Sequence, residues 1–149
     1  MKKYLKIFTV LAAIGLVAGL FVYFFVINKS HPDYASQKPD YSLAAVELFE
    51  AYRNSAEMAG NQYNGKMVML NGSLSKVEQQ NQEVYLCFNI TEGLFGAEGV
   101  RIRLLENQKA VAQKLNEGDE ISVKGYVTGY NDTDVLLEHG SLVSQHLKD

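Results

Sequence analysis

The run from Ile7 to Ile27 constrains this chain before anything else does. It holds 21 residues with no charge and nothing more polar than Thr9 and Tyr23, and Lys2, Lys3 and Lys6 precede it. At about 1.5 Å per residue such a helix reaches roughly 31 Å, close to the roughly 30 Å hydrocarbon thickness of a bilayer. A cleaved signal peptide carries a shorter apolar region and ends in a small-x-small site, which Phe24–Lys29 (FFVINK) does not offer. The expectation is a retained anchor over residues 1–28, in the membrane through residues 7–27. No cysteine lies near the end of the run, so a lipid is not expected to replace the helix. Three lysines before the run against Lys29 after it predict a single pass through the inner membrane, amino terminus cytoplasmic, with an extracytoplasmic (periplasmic) domain. Gly15 and Gly19 form a small-xxx-small pair through which two such helices would approach and dimerise.

The rest of the chain is a different material. Three of its 14 basic residues lie in the first 28 positions, which hold no acid; 11 basic against 17 acidic residues remain, a net charge of −6. Of the chain's nine tyrosines and seven phenylalanines, seven and three lie here against two prolines, which places this part among folded domains, since a disordered chain lacks the apolar groups to offset its conformational entropy. Its length suits one domain, over residues 42–149. Residues 29–41 read as a linker: Ser30–Tyr41 (SHPDYASQKPDY) contains both prolines and little that is apolar.

Beyond the linker the hydrophobic period is first that of a helix. Ala45, Phe49, Tyr52, Ala56, Ala59 and Tyr63 recur in steps of four and three, with Ser42 as the expected N-cap and Gly60 as the expected stop. After the Asn64-Gly65 turn signal the period becomes two. A long first strand is expected over Met67–Val77, with Gly72 where bending or close approach is easy, and a polar turn over Glu78–Gln82. Val84, Leu86, Phe88 and Ile90 alternate with Tyr85, Cys87 and Asn89 in the second strand. A glycine-containing connection, Thr91–Gly99, leads to a third strand in which Val100, Ile102 and Leu104 face inward and Arg101 and Arg103 outward. Glu106–Leu115 reads as a short helix and Asn116–Asp119 as a turn. A fourth strand carries Ile121, Val123, Gly125 and Val127, a polar link spans Gly129–Thr133, and a last strand runs from about Asp134 to Val143.

A preceding amphipathic helix, then five strands with a helix between the third and fourth, is the order of a mainly β OB-fold-like barrel. A plain meander would need only tight turns between neighbouring strands. Cys87 is the only cysteine, which leaves no internal disulfide, and it reads as a small buried hydrophobe.

Several segments together resemble a known group: Tyr63-Asn64-Gly65-Lys66, Asn71-Gly72, Val84–Phe88 (VYLCF), Gly118–Gly125 (GDEISVKG) and Asp134–Leu137 (DVLL). They are similar to the tRNA_anti-like family of bacterial membrane-anchored OB-fold proteins, over roughly Ser42–Val143. The resemblance implies an anchor, a helix and then the barrel, the helix carrying an alanine four residues before a tyrosine, as Ala59 and Tyr63 do. Two positions depart from it: Ser55 stands where asparagine is expected, and a cysteine near the end of the last strand is replaced around His139-Gly140.

No combination of nucleophile, base and metal ligand emerges, so no catalytic residue, metal or cofactor is expected, and binding rather than catalysis is the expected role. Asn131–Asp134 lacks the glycine and later glutamate of a calcium loop and reads as an ordinary turn. His31, His139 and His146 read as solvated, and Glu117, Asp119 and Glu120 as acids that keep an edge soluble. The expected binding face is the outer surface of the second and third strands, carrying Tyr85, Asn89, Arg101 and Arg103, with Tyr126, Tyr130 and Asn131 as neighbours. Tyrosine and arginine are favoured anchors for a protein partner, and OB-folds also bind oligosaccharides. Aromatics beside arginines suit single-stranded nucleic acid as well, but a domain of net −6 repels a polyanion, so nucleic acid is the alternative.

Overall fold

The computed structural model describes residues 15, 17–19, 34–94 and 96–146, the side chains of 145 and 146 excepted. The chain divides into two compact units, Met1–Pro32 and Asp33–Asp149. Most of the expected membrane span, Ile7–Ile27, and His31 lie outside the described residues; Gly15 and Val17–Gly19 are helical and exposed. Among the described residues no helix is long and apolar enough to cross a membrane.

The second unit is mainly β. Strand β1 (Tyr41–Ala44) leads into α1 (Ala45–Asn54) and α2 (Ala56–Tyr63), followed by β2 (Met67–Ser73), β3 (Lys76–Gln80), β4 (Glu83–Gly93) and β5 (Gly96–Leu104). A 3₁₀ turn (Glu106–Gln108) and one turn of helix, α3 (Lys109–Ala112), precede β6 (Glu120–Tyr130) and β7 (Asp134–His146). The strands form one sheet in the order β1-β2-β6-β7-β5-β4-β3.

The expected five-stranded barrel is thus corrected to a seven-stranded sheet that is not closed, and both extra strands have a physical origin. The expected first strand is split, because its two halves serve different neighbours. β2 runs antiparallel to β6, and β3 antiparallel to β4. Between them the Leu74 amide donates to the Asp119 carbonyl and the Ser75 amide to the Cys87 carbonyl, each at 2.9 Å, so hydrogen bonding changes sides within two residues. Gly72 lies where the ring of Phe88 packs closest: a Cβ there would be 3.3 Å from it. Counting β2 and β3 as one bent strand, the neighbours run first, fourth, fifth, third, second and back to the first. β2 and β3 follow each other in the chain without pairing, so the sheet stays open there, the arrangement of a partly open Greek-key barrel.

The other extra strand is β1, where Ser42 was expected to cap a helix. Tyr41–Ala44 instead pairs in parallel with Val68–Asn71. Helix α1 starts two residues later, with Ala44 as its N-cap, and the amide of Ala44 donates to the Glu47 carboxylate at 2.8 Å. Ser55 then interrupts the expected single helix: its hydroxyl accepts from the Met58 amide at 3.3 Å and caps α2. Serine here fills a role that asparagine fills equally well. The interruption shifts the helical phase, so Leu48, Phe49 and Tyr52 are buried while Ala56 is exposed, and Gly60 lies inside α2 rather than after it. Each such large side chain contributes about 1.5–3 kcal/mol by leaving water. They close over the sheet's apolar interior, where Val68, Leu70, Leu86, Ile102, Val123 and Val127 are fully buried.

The remaining expected strands are present but longer. Asn81 and Gln82, both at positive φ, form a two-residue hairpin turn between β3 and β4 in place of the five-residue turn. The expected connection Thr91–Gly99 is largely strand, since β4 and β5 pair as far as Gly93 and Gly96. The Asn131–Thr133 turn is held by the Asn131 side-chain oxygen, which accepts from the amides of Thr133 (3.1 Å) and Asp134 (2.7 Å).

The linker is more than a tether in its described part. Lys124 donates from its ammonium to the carbonyls of Ala35 and Gln37. Asp40 and Met67 exchange two bonds: the Asp40 amide to the Met67 carbonyl at 2.7 Å, and the Met67 amide to the Asp40 carboxylate at 2.9 Å. The ring of Tyr34 stacks on His139, centroids 3.9 Å apart and planes 2° from parallel. His139, expected to be solvated, is half-buried and sits at φ +57° in an irregularity of β7. Asp119 is likewise not an exposed acid but fully buried, and its carboxylate accepts from the Asn116 amide at 2.8 Å, closing the turn before β6.

Candidate functional site

The alternation of β4 and β5 decides what this face can present. Leu86, Phe88, Val100 and Ile102 point into the core, so the side chains between them must point out. Antiparallel register sets Tyr85 opposite Arg103 and Cys87 opposite Arg101. β7 lies parallel to β5 on its other side, with Leu136 beside Arg101. The result is an open cavity of about 290 Å³ floored by Tyr85, Arg101, Arg103 and Leu136, with Gln80, Thr128, Asn131, Asp134 and Glu138 around it.

The two arginines are paired rather than free. The Arg101 guanidinium donates to Glu78 at 2.5 Å and lies over the ring of Tyr85, 5.2 Å from its centroid. Arg103 reaches Glu138 at 3.0 Å. Glu78 also bonds Lys76; that bond first, and Arg101 after it, hold its carboxyl below the usual glutamate range against the opposing effect of burial. Asp134 accepts from the Gly99 amide at 3.1 Å with one oxygen. Cys87, beneath this cluster, is buried, and burial, with Glu78 a smaller cause, pushes its thiol up to about 11. It is held as an inert thiol.

Three of the expected site residues, Tyr85, Arg101 and Arg103, are brought together here, along with Asn131. Asn89 is not among them. Four residues, or about 13 Å, further along a twisted strand it turns to a second concavity of about 310 Å³, shared with Ala44–Val46, Gly72 and Phe88. Tyr126 is also elsewhere, 6.1 Å from the ring of Tyr34 and 6.5 Å from His139, because β6 and β7 slip register on either side of it. Tyr130 donates to the Asp132 carbonyl at 3.0 Å and faces Tyr52 at 5.7 Å. It belongs to a row of tyrosines that continues through Tyr52 to Tyr63 and Tyr41. Burial and then Tyr63 push the Tyr52 hydroxyl, which donates to the Asn64 side chain at 2.6 Å, up to about 12. The row is structural.

Gln80, Thr128, Asp134 and Glu138 were not anticipated. Glu138 had a signal: it shares the outward phase of β7 with Leu136, opposite the buried Val135 and Leu137. Glu78 had none, since it lies in a segment that reads as a turn.

The sequence pattern of the tRNA_anti-like family matches residues 1–140. Comparison with curated proteins returns no match. Among solved structures, one described as a "putative nucleic acid-binding lipoprotein" from Klebsiella pneumoniae is 15% identical with a TM-score of 0.53, over 78% of this chain and 100% of that one. The asparaginyl-tRNA synthetase of Pyrococcus horikoshii is 18% identical with a TM-score of 0.39, over 58% of this chain and 21% of its own. An OBody bound to hen egg-white lysozyme is 14% identical with a TM-score of 0.39, over 56% of this chain and 86% of its own. The first of these shares the fold.

Proposed function

The chain belongs to the tRNA_anti-like family of OB-fold proteins, and from that premise we propose that it is a membrane-anchored, extracytoplasmic binding module whose groove on β4, β5 and β7 receives a protein or glycan partner. One observation carries this reading: each guanidinium in the groove is already paired with a carboxylate, Arg101 with Glu78 and Arg103 with Glu138, beside a half-buried tyrosine. Such a surface orients a polar ligand without drawing in polyanions. The uncharged run Ile7–Ile27 behind three lysines supports the anchor and its orientation.

Nucleic acid is the second reading. Tyr85 beside two arginines favours it, as does what the Klebsiella lipoprotein is described to bind. Asp134 and Glu138 on the same groove, and the net charge of −6 outside the first 28 residues, weigh against it, because most nonspecific affinity for nucleic acid comes from phosphate neutralisation.

One experiment tests location and surface together. Gln80→Cys, in the groove, and Glu57→Cys, exposed on α2, are treated in spheroplasts with a membrane-impermeant thiol reagent bearing a photocrosslinker; buried Cys87 stays silent. Both positions should label, and only Gln80→Cys should yield a discrete adduct, lost when Arg101→Ala and Arg103→Ala are added. Failure of both positions to label would place the domain inside the cell, and identical adducts from the two would remove the groove from consideration.

A further inference from the structure

We propose that the ligand of this groove is an uncharged linear glycan, an inference that rests on the reading of the groove as the binding surface and names what it takes. The groove combines donors and acceptors whose bonds inside the protein leave capacity over. The Asn131 side-chain oxygen is used up by its own turn, so its amide nitrogen is the part left to donate. Thr128 donates its hydroxyl proton to the Leu136 carbonyl at 3.0 Å, which leaves its oxygen as an acceptor. Asp134 commits one carboxylate oxygen to Gly99 and keeps the other. The guanidinium of Arg103 binds Glu138 through one nitrogen and has further N–H groups. Donors and acceptors occur together within one cavity of about 290 Å³. A sugar hydroxyl donates and accepts at once, so several hydroxyls satisfy such a lining, and the half-buried ring of Tyr85, one face of which Arg101 covers, has its other face for the C–H face of a pyranose.

The same lining disfavours the competing ligands. A protein interface is organised around a cluster of desolvated apolar or aromatic anchors, yet the half-buried Tyr85, under Arg101, and the partly exposed Leu136 are all that this groove offers of that kind, and Leu137 beside Leu136 is buried. A polyanion would meet Asp134 and Glu138 with both arginines already engaged.

The full chain in detergent is titrated with chitohexaose, cellohexaose and maltohexaose, all linear and uncharged, with oligo-dT and polygalacturonate as polyanions. At least one uncharged oligomer should bind, with an affinity that hardly changes between low and physiological salt, since no ion pair forms with the ligand. Arg103→Ala should weaken it about tenfold or more. Gln80→Ala, at an exposed side chain, should weaken it severalfold and keeps the test decisive if Arg103→Ala fails to fold. Binding by none of the three uncharged oligomers overturns the proposal. If in that case Gln80→Cys still gives its discrete protein adduct, the groove remains the binding surface and only the ligand class falls. Salt-sensitive binding of oligo-dT or polygalacturonate that Arg103→Ala abolishes overturns the glycan in the same way.

Discussion

Glu138 and His139 are adjacent in sequence and serve two different regions of the molecule, one arranged to bind and one arranged to hold. In the groove the functional side chains are about a third exposed and meet as surface ion pairs, Arg101 with Glu78 and Arg103 with Glu138. Pairs of this kind contribute less than about 1 kcal/mol each, because water screens them and two long side chains must be fixed. Beside the groove, with His139 Nε2 4.0 Å from the Glu138 carboxylate, the stretch from Tyr34 to Asp40 is fastened by contacts that leave little over: a parallel stack on His139, an ammonium turned onto two main-chain carbonyls, and a carboxylate on the amide of Met67. The difference teaches that affinity here is carried by groups the fold can spare, and stability by groups it cannot.

The strongest way to break this contrast is Asp40→Ala. It leaves the amide of Met67, a residue 1% exposed, without its acceptor, which costs about 1–3 kcal/mol. For a domain of this size that lowers Tm by on the order of 10 °C, whereas Arg101→Ala with Arg103→Ala should lower it by no more than a few degrees. Thermal unfolding followed by circular dichroism separates the two, and equal shifts would mean that the corner holds no more than the groove does.

His139 sharpens the same comparison, because it combines a favourable contact with an unfavourable backbone. Its stack on Tyr34 contributes about 0.5–1.5 kcal/mol, while its φ of +57° costs a non-glycine residue about 1 kcal/mol. His139→Ala loses the first and keeps the second; His139→Gly loses the first and is relieved of the second. The glycine variant should therefore melt higher than the alanine variant by about 1 kcal/mol in denaturant titration. The reverse order would show that the left-handed backbone is not strained at this position.

How much of this could be read in advance follows from which contacts are periodic. Alternation placed Tyr85, Arg101 and Arg103 on one outward face because Leu86, Phe88, Val100 and Ile102 define the inward one, and the change of period after Tyr63 marked where helix gives way to sheet. Asn89 and Tyr126 share the phase of the groove strands, but strand twist and register slips send them elsewhere, and neither is visible one chain position at a time. Glu78 meets Arg101 only through the pairing of β3 with β4, from a segment whose polarity reads as a turn. Tyr34 meets His139 across more than a hundred residues with no period to announce it, and β1 is strand only because β2 is there to pair with it. Local pattern determined which way side chains point, and long-range pairing determined what they meet.

The smallest expected effect tests the groove's own electrostatics. The carboxyl of Glu78 lies below its ordinary range, first through its bond to Lys76 and then through Arg101. A carboxyl with a lower pKa in the folded than in the unfolded chain adds stability that is complete above the unfolded value, about 4.3, and is lost as pH falls through the folded one. The parent protein should therefore lose stability over that acidic window by more than Glu78→Gln, whose amide does not titrate. The excess should stay below about 1 kcal/mol, since the side chain is 30% exposed, and it should shrink as salt is added. Subtracting the two curves of stability against pH isolates this step from the other carboxylates. A difference that is flat through the acidic range would mean that Glu78 gives up Lys76 and Arg101 at no cost, and that Arg101 is as open to an anionic ligand as an unpaired arginine.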